Sequence, residues 1–222
     1  MPPSDYAPQL ATLVKAPPDG DEWLHEIKYD GYRIGCRIRN GRVTLISRTG
    51  KDWTAAFPEI VAAAGGLGIE NLLLDGEVAM VLPDGRTSFQ ALQNASTGEA
   101  SRQSLVYFAF DLLRLGDERL ASLPLVERKA RLRRLIGARK RERLRYSEHV
   151  TGNGAAFFAE ACRVGLEGII SKLARQPHRS GRRRDWVKTK CILRQEFVIG
   201  GFTEPEGRRP GIGALLIGYY EQ

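Results

Sequence analysis

The stretch EIKYDGYR, residues 26–33, sets one lysine between a glutamate and an aspartate and closes with a glycine and an arginine. The residues EWLHEIKY alternate in polarity as a β-strand does, so Glu26 and Lys28 share one face while Ile27 points to the other. Asp30-Gly31 is a turn signal that ends the strand. The stretch therefore predicts a lysine at a strand end, beside charged neighbours.

Strand and turn signals continue on both sides of this stretch. YRIGCRIRNGRVTLISR, residues 32–48, has two alternating runs joined by Asn40-Gly41, which predicts a β-hairpin. Further strands are predicted in NLLLDGEVAMVL (71–82), SLVYFAFDLLRL (104–115), LEGIISKL (166–173) and DWVKTKC (185–191). Helices are predicted in FPEIVAAA (57–64), PLVERKARLRRLI (124–136) and GAAFFAEACRVG (154–165). Because hairpin signals dominate over strand–helix alternation, we predict an α+β fold of mainly antiparallel sheets flanked by helices.

The two ends of the chain differ in composition from the middle. Residues 1–21 are rich in proline and aspartate, which predicts an extended segment on the surface. After Cys191 the sequence has two short strand signals joined by a loop rich in glycine and proline. Because a lone hairpin is marginally stable in water, we predict that residues 191–222 open a second, β-rich domain and that the first domain spans 1–190.

Charge and cysteine usage narrow the class of protein. The 222 residues carry a formal net charge of +8, which favours polyanionic partners such as nucleic acid. The three cysteines form no CxxC pair, so we expect no disulfide framework, no zinc site and a reducing compartment. The N-terminus lacks the pattern of a signal peptide, and no apolar run approaches the roughly 20 residues that span a bilayer. An intracellular protein without a membrane partner is expected.

Charged residues interrupt several of the predicted buried strands, where an unpaired charge is costly. These residues are Glu77, Asp111, Glu167, Lys172, Lys188 and Lys190. If they converge with Lys28, they form a cleft whose carboxylates can hold a divalent cation and whose amines can hold phosphates. Neighbouring cations can depress the pKa of a lysine in such a cleft, and a neutral amine can attack phosphorus. A basic loop, ARQPHRSGRRR (174–184), lies between the last two motif strands and would sit at the cleft mouth.

At this point a family resemblance emerges. KYDGYR (28–33) resembles the KxDGxR motif of the covalent nucleotidyltransferases, which are DNA ligases, RNA ligases and mRNA capping enzymes. Five further segments resemble the other family motifs in order, namely SRTGKDWT (47–54), LDGEV (74–78), YFAFDLL (107–113), EGIISK (167–172) and WVKTK (186–190). The sequence is most similar to ATP-dependent DNA ligases, in particular to the ligase module of the bacterial end-joining ligase D.

The resemblance implies both architecture and activity. Residues 1–190 would form an ATP-grasp-like adenylation domain, and 191–222 would be a linker and the start of an OB-fold domain. The last family motif, late in that domain, is missing. The enzyme would load AMP from ATP onto a lysine and pass it to the 5′-phosphate of nicked or broken double-stranded DNA during non-homologous end joining. End-joining proteins and covalently linked polymerase or nuclease modules would be its partners, in the bacterial cytoplasm near the nucleoid.

The resemblance also assigns roles to individual residues. Lys28 would attack the α-phosphate and carry AMP as a phosphoramidate. The implied nucleotide-binding residues are Glu26, Ile27, Arg33, Arg48, Glu77, Phe110, Lys172, Lys188 and Lys190. Glu77 and Glu167 would hold Mg²⁺ or Mn²⁺. The implied DNA contacts are Asp30, Arg179, Arg182, Arg183 and Arg184.

Within the nucleotide site, Glu26 and Ile27 would lie along the adenine edge, and Phe110 would stack on the base. Phe108 has the same facing and is the fallback for the stacking role. Arg33 and Arg48 would contact ribose or phosphate. The lysines of the last two motifs would hold the α-phosphate and neutralise charge in the transition state.

Other functions remain open at this point. A GTP-using capping enzyme or an RNA ligase shares most of the motifs, although Tyr29 stands where capping enzymes usually have threonine. A nucleic-acid-binding module with an inactive pocket is the alternative from a different class. We interpret the basic run 128–145 mainly as a solvated helix face.

Overall fold

The computed structural model describes residues 6–96, 98, 101–137, 142–191, 198–205 and 211–219. The chain divides into two units, Met1–Cys191 and Ile192–Gln222. Over the described residues, no helix combines the length and the apolar character needed to cross a membrane.

The first unit alternates strands and short helices. Its strands are β1 Gln9–Leu13, β2 Trp23–Ile27, β3 Gly31–Arg39, β4 Arg42–Ser47, β5 Leu72–Met80, β6 Leu105–Leu115, β7 Glu118–Arg119, β8 Leu144–Tyr146, β9 His149–Thr151, β10 Gly168–Leu173 and β11 Gly181–Lys190. Its helices are α1 Pro58–Gly65, α2 Phe89–Ser96, α3 Leu125–Leu132 and α4 Gly154–Arg163, and α3 continues into a π-helical turn, Arg133–Gly137.

One sheet has the order β4-β3-β5-β6-β7, with β8 pairing parallel to β6. The predicted hairpin is present as β3 and β4, whose turn residues Asn40 and Gly41 have φ angles of 49° and 75°. Alternate side chains of this sheet, such as Leu74 and Tyr107, form a core with apolar residues of α1, α2 and α3. The predicted α+β class with helices flanking antiparallel sheets is confirmed.

The second sheet has the order β1-β11-β10-β2-β9. All its pairs are antiparallel except β1 with β11. The two sheets meet through an apolar cluster that includes Leu24 from β2, Phe110 from β6 and Trp186 from β11. This arrangement brings the ends of β2, β10 and β11, where the motif lysines lie, to one cleft.

The composition of the N-terminal segment predicted an extended segment on the surface, but its described residues are built into the fold. Gln9–Leu13 is a strand beside β11, and Gln9 is fully buried. Tyr6 is also buried and donates a hydrogen bond to Asp75 Oδ1 at 2.7 Å. Its ring lies so close to Gly35 that a Cβ there would be 2.6 Å from Tyr6 Cγ. The segment therefore closes the gap between the sheets. The prolines of the segment gave no indication of this position.

The predicted basic loop 174–184 is shorter than expected. Strand β11 already begins at Gly181, so the residues Arg182–Arg184 belong to the strand, and Arg182 and Arg183 pair with Leu10 and Ala11 of β1. A short helix, α2, and the strands β8 and β9 carried too few periodic residues to be predicted.

Two positions of helix α3 contradict the predicted solvated basic face of the run 128–145. Arg133, Arg134 and Arg145 are exposed, and residues 138–141 lie outside the described residues. Arg128 and Lys129 are 0% and 1% exposed. Together with Leu125 and Leu132 they occupy the i, i+3, i+4, i+7 positions, which form one helix face. Both cations are buried because that face meets carboxylates on the sheets. Arg128 donates to both carboxylate oxygens of Asp111 at 2.7 and 2.8 Å.

The prediction that the cysteines form no disulfide is wrong. Cys162, in the last turn of α4, forms a disulfide with Cys191, which directly follows β11. The β10–β11 hairpin brings together two cysteines that are 29 positions apart, with Cα atoms at 5.3 Å, and the linear spacing carried no sign of this. The argument for a reducing compartment loses its support. Cys36 is a free, buried core residue.

The second unit contains the two predicted strands, β12 Val198–Phe202 and β13 Leu215–Gly218, paired antiparallel. Part of the predicted connecting loop, 206–210, lies outside the described residues. Most apolar side chains of the hairpin are exposed, including Ile199 and Ile217. The assignment of this unit to an OB fold and the domain boundaries stay predictions.

Removing the Arg128 guanidinium should destabilise the first unit. Arg128→Met leaves the buried Asp111 carboxylate without its two strongest hydrogen bonds, so we expect a loss of about 3–5 kcal/mol in the free energy of unfolding. Urea denaturation measures it. Arg131→Met removes a charge from the same helix but breaks only the exposed pair with Glu118, and should cost about 1 kcal/mol or less. Equal losses in the two variants would contradict the account.

Candidate active site

A cavity of about 190 Å³ lies between the two sheets of the first unit. Six cationic side chains and two carboxylates line it, namely Lys28, Arg33, Arg48, Lys172, Arg182, Lys188, Glu26 and Glu77. Apolar residues complete the wall, among them Ile27, Phe110, Ile170 and Trp186. The surplus of cations makes the cavity suited to an anion, and the flat rings suit an aromatic group.

Lys28 directly follows β2 at the edge of this cavity. Its backbone N–H donates to the carbonyl of Gly168 at 3.0 Å, which joins the strand end to β10. Gly168 has a φ of 144°, and a Cβ there would lie 2.1 Å from the carbonyl oxygen of Thr189. Only glycine permits this close approach. The glycine of the EGIISK motif therefore serves to bring Lys28 beside the last motif strand.

The Lys28 ammonium donates a hydrogen bond to Glu167 Oε2. The other oxygen of Glu167 lies 3.0 Å from Lys190 Nζ. Burial disfavours the charged form of Glu167, but hydrogen bonds and charge from Lys28 and Lys190 outweigh burial and hold its pKa below the usual range. Glu167 therefore ties together lysines from the first and last motifs.

Glu26 lies in the floor of the cavity and is 1% exposed. Its Oε1 accepts hydrogen bonds from Lys129 and Lys172, both at 2.8 Å, and its Oε2 accepts one from the Ser147 hydroxyl at 2.8 Å. Burial alone would raise the pKa of Glu26, but the two ammonium groups lower it. The carboxylate is therefore ionised, and both of its oxygens accept hydrogen bonds from the protein.

Lys172 stands between this carboxylate and the cavity. Its Nζ lies 4.3 Å from the ring centroid of Phe110 and 4.2 Å from that of Trp186, a cation–π arrangement. Burial lowers the pKa of Lys172 to about 8, against the opposing charge of Glu26. Lys188, on β11, also has a lowered pKa because of burial and the nearby charges of Lys28 and Lys190.

Arg33 is anchored before any ligand arrives. It donates to both oxygens of Asp75 at 2.6 and 2.7 Å and to the carbonyl of Gln9 at 3.1 Å. Its guanidinium also lies 4.5 Å from the Phe110 ring centroid. This fixed guanidinium braces the ring that the resemblance assigns to base stacking.

The two candidate stacking rings have different surroundings. Phe110 lines the cavity. Phe108 stacks on Tyr29, with ring centroids 4.0 Å apart and an angle of 12° between the planes, and is not in the cavity wall. The geometry favours Phe110 over the fallback, although the stacking role itself stays a prediction.

Glu77 also faces the cavity. Burial raises its pKa to about 7, in spite of the neighbouring charges of Arg33 and Lys28. Within the described ranges, no group of three or more His, Cys, Asp or Glu side chains is arranged to hold a metal ion. Glu77 and Glu167 provide two carboxylates, which suits a Mg²⁺ ion that keeps its remaining positions for phosphate and water.

The predicted DNA-contacting residues lie in two places. The Asp30 carboxylate accepts the backbone N–H of Phe89 at 3.0 Å at the start of α2, and it does not line the cavity. Arg182 lines the cavity and donates to the carbonyl of Ala11 at 2.7 Å. Arg183 and Arg184 are exposed on β11, and Arg179 lies 3.7 Å from Asp185.

Sequence reasoning missed Lys129 and Ser147 as members of this site. Lys129 lies outside every family motif, and Ser147 follows the unpredicted strand β8. The one available signal was the position of Lys129 on the apolar face of α3.

A site with these features, set between two mainly antiparallel sheets, is built for a phosphorylated ligand that carries a flat aromatic group. The family model described as the ATP dependent DNA ligase domain matches residues 8–190, and the chain belongs to this family.

Similar proteins agree with this assignment. The chain is 46% identical over 218 residues to the multifunctional non-homologous end joining protein LigD of Pseudomonas aeruginosa, covering 98% of this chain and 26% of that protein. It is 38% identical over 217 residues to the corresponding DNA repair protein LigD of Mycobacterium tuberculosis, covering 96% of this chain and 28% of that protein. The chain thus spans about a quarter of the length of these relatives.

Solved structures of DNA ligases are also similar to this chain. A mycobacterial DNA ligase D complexed with ATP and MES superposes with a TM-score of 0.76 and 35% identity, over 96% of this chain and 67% of that one. The ligase domain of LigD from M. tuberculosis gives 0.74 and 34%, over 97% of this chain and 69% of that one.

The raised pKa of Glu77 predicts a pH-dependent stability. The pKa of Glu77 is about 7 in the folded state and 4.5 in the unfolded state. Its stabilising contribution is therefore complete below pH 4.5 and is lost as the pH rises through 7. Relative to Glu77→Gln, the parent chain should lose roughly 3 kcal/mol over this interval. Urea denaturation in EDTA across the pH range measures the difference. Glu70→Gln, at an exposed position, is the matched control, and a flat difference for Glu77→Gln would contradict the assignment.

Proposed function

We propose that this chain is the catalytic part of an ATP-dependent DNA ligase, which loads AMP onto Lys28 and passes it to the 5′-phosphate at a break in DNA. The observation that carries the proposal is the position of Lys28 at the edge of a cationic cavity, with Glu167 as its partner. Family membership supports the same activity.

In the first step, the Lys28 amine attacks the α-phosphorus of ATP. A nitrogen–phosphorus bond forms, the bond between the α-phosphorus and its bridging oxygen breaks, and pyrophosphate leaves with the electron pair. The ammonium must give up a proton to solvent before it can attack, and its contact with the Glu167 carboxylate orients the nitrogen. Lys172 and Lys188 then neutralise charge on the α-phosphate, which is the main requirement of phosphoryl transfer.

The remaining wall of the cavity fits the nucleoside. Phe110 and Trp186 give the cavity an apolar wall against which adenine can pack, with Ile27 along its edge. The ionised carboxylate of Glu26 can accept a hydrogen bond from the 6-amino group of adenine, whereas the 6-oxygen of guanine would be repelled. This favours ATP over GTP and disfavours the capping-enzyme alternative. Arg48, also in the wall, is available to ribose or phosphate.

Mg²⁺ or Mn²⁺ would be held by Glu77 and Glu167 together with phosphate oxygens. Such an ion supplies charge neutralisation at the phosphates when bound. The role of this chain's own residues is to present two carboxylates near the nucleophile, one raised in pKa and one tied to Lys28.

The DNA partner follows from charge. Arg182, Arg183 and Arg184 on β11 can grip backbone phosphates, and the net charge of +8 adds a sequence-independent attraction. We propose nicked or broken double-stranded DNA as substrate, and repair by end joining in the bacterial cytoplasm, as the names of the relatives suggest. Polymerase and nuclease modules and end-joining proteins are proposed partners of the same pathway.

Lys28→Arg is the sharpest test of the nucleophile. Arginine keeps the positive charge beside Glu167 but stays protonated and cannot attack phosphorus. With α-labelled ATP and a divalent cation, the parent should acquire a covalent, acid-labile label on a denaturing gel, and Lys28→Arg should acquire none. Lys15→Arg, at an exposed position, is the matched control and should label like the parent. Equal labelling of Lys28→Arg would refute the role of Lys28.

A further inference from the structure

Glu26 has twice the cationic partners that its charge requires. Lys129 and Lys172 both donate to the same oxygen, Oε1, at 2.8 Å. All three side chains are 1–2% exposed. Burial of a second ammonium group is costly unless it serves a purpose, because one cation already neutralises the carboxylate.

The two lysines have different surroundings. Lys172 lines the cavity and lies between the rings of Phe110 and Trp186. Lys129 comes from α3, away from the cavity wall, and has two further supports. It donates to the carbonyl of Ser147 at 3.0 Å, and its Nζ lies 4.6 Å from the ring centroid of Tyr146. Lys129 is therefore fixed on Glu26, and Lys172 is the member that can reach a ligand.

A conflict arises when a phosphate enters the cavity. The proposed phosphate contact takes Lys172 from Glu26 towards the phosphate. If it were the sole partner, this movement would strand an ionised carboxylate in the protein interior, where breaking a buried ion pair is strongly unfavourable. With Lys129 in place, Glu26 keeps a full counter-charge throughout.

We propose that Lys129 is a positioning residue that holds the counter-charge of Glu26 and so releases Lys172 for the phosphate of the nucleotide. The inference rests on the proposed function, since it takes the cavity to be a nucleotide site. It assigns a role in nucleotide binding to a residue outside all six motifs.

The electrostatics of Lys172 support this division of roles. Burial is the main cause of its lowered pKa, and the neighbouring charge of Lys129 lowers it further. Lys129 therefore weakens the hold of Glu26 on Lys172 even before a ligand binds.

Lys129→Met tests the proposal, because methionine has a similar shape and no charge. The chain is first treated with pyrophosphate to strip any AMP from Lys28, and the affinities for AMP and for adenosine are then measured by calorimetry. The ratio of the two affinities reports the phosphate contribution alone. In Lys129→Met, Lys172 becomes the sole cationic partner of Glu26, so the ratio should fall roughly tenfold to a hundredfold. Arg131→Met, which removes a charge from the same helix outside this network, should keep the parent ratio.

Glu26→Gln combined with Lys129→Met separates positioning from a structural role. Removing the carboxylate frees Lys172 again, so the ratio should return to the parent value. An unchanged ratio in Lys129→Met, or a double variant whose ratio stays as low as that of the single variant, would overturn the inference. If the parent binds AMP no better than adenosine, the proposed nucleotide site fails, and the inference fails with it.

Discussion

Charges buried between two sheets must be paired, and this requirement organises the first unit. Arg128 meets Asp111 with both side chains fully buried, and Arg33 meets Asp75, which lies opposite Asp111 on the adjacent strand β5. Tyr6, from the N-terminal segment, adds its hydroxyl to Asp75. These pairs link the helix α3 and the first residues of the chain to one sheet, and Arg33 also reaches the other sheet through the carbonyl of Gln9 in β1. The relative position of the two sheets therefore depends on them.

The pairing changes in character towards the cavity. Asp111 has one guanidinium that satisfies both of its oxygens, an arrangement with nothing left for a ligand. Glu26 has a surplus cation, and the Lys28–Glu167 pair is partly open, with side chains 19% and 26% exposed. Ion pairs that are surplus or open can be exchanged for a charged substrate at lower cost than sealed ones. The sealed pair Arg128–Asp111, which supports the fold, and the open pairs at the cavity are thus the same kind of interaction.

The sequence predicted those parts of the fold and site whose signals are local. Alternating strands, the Asn40-Gly41 turn and the motif residues on strands could be read directly, because side-chain direction follows from period 2. The role of Lys129 could not be read from the sequence, because its partner Glu26 is 103 positions away. Only the tertiary fold shows that this helix face meets a carboxylate. The same holds for the strand at Gln9–Leu13 and for the Cys162–Cys191 disulfide, both of which depend on contacts distant in sequence.

A crystal structure of the chain with an ATP analogue that cannot release pyrophosphate tests the account most directly. The account predicts that the Lys172 ammonium leaves Glu26 and hydrogen-bonds to the α-phosphate, with Lys129 still on Glu26 and adenine against Phe110. A complex in which Lys172 stays on Glu26, or in which the phosphate lies away from Lys28, would contradict it.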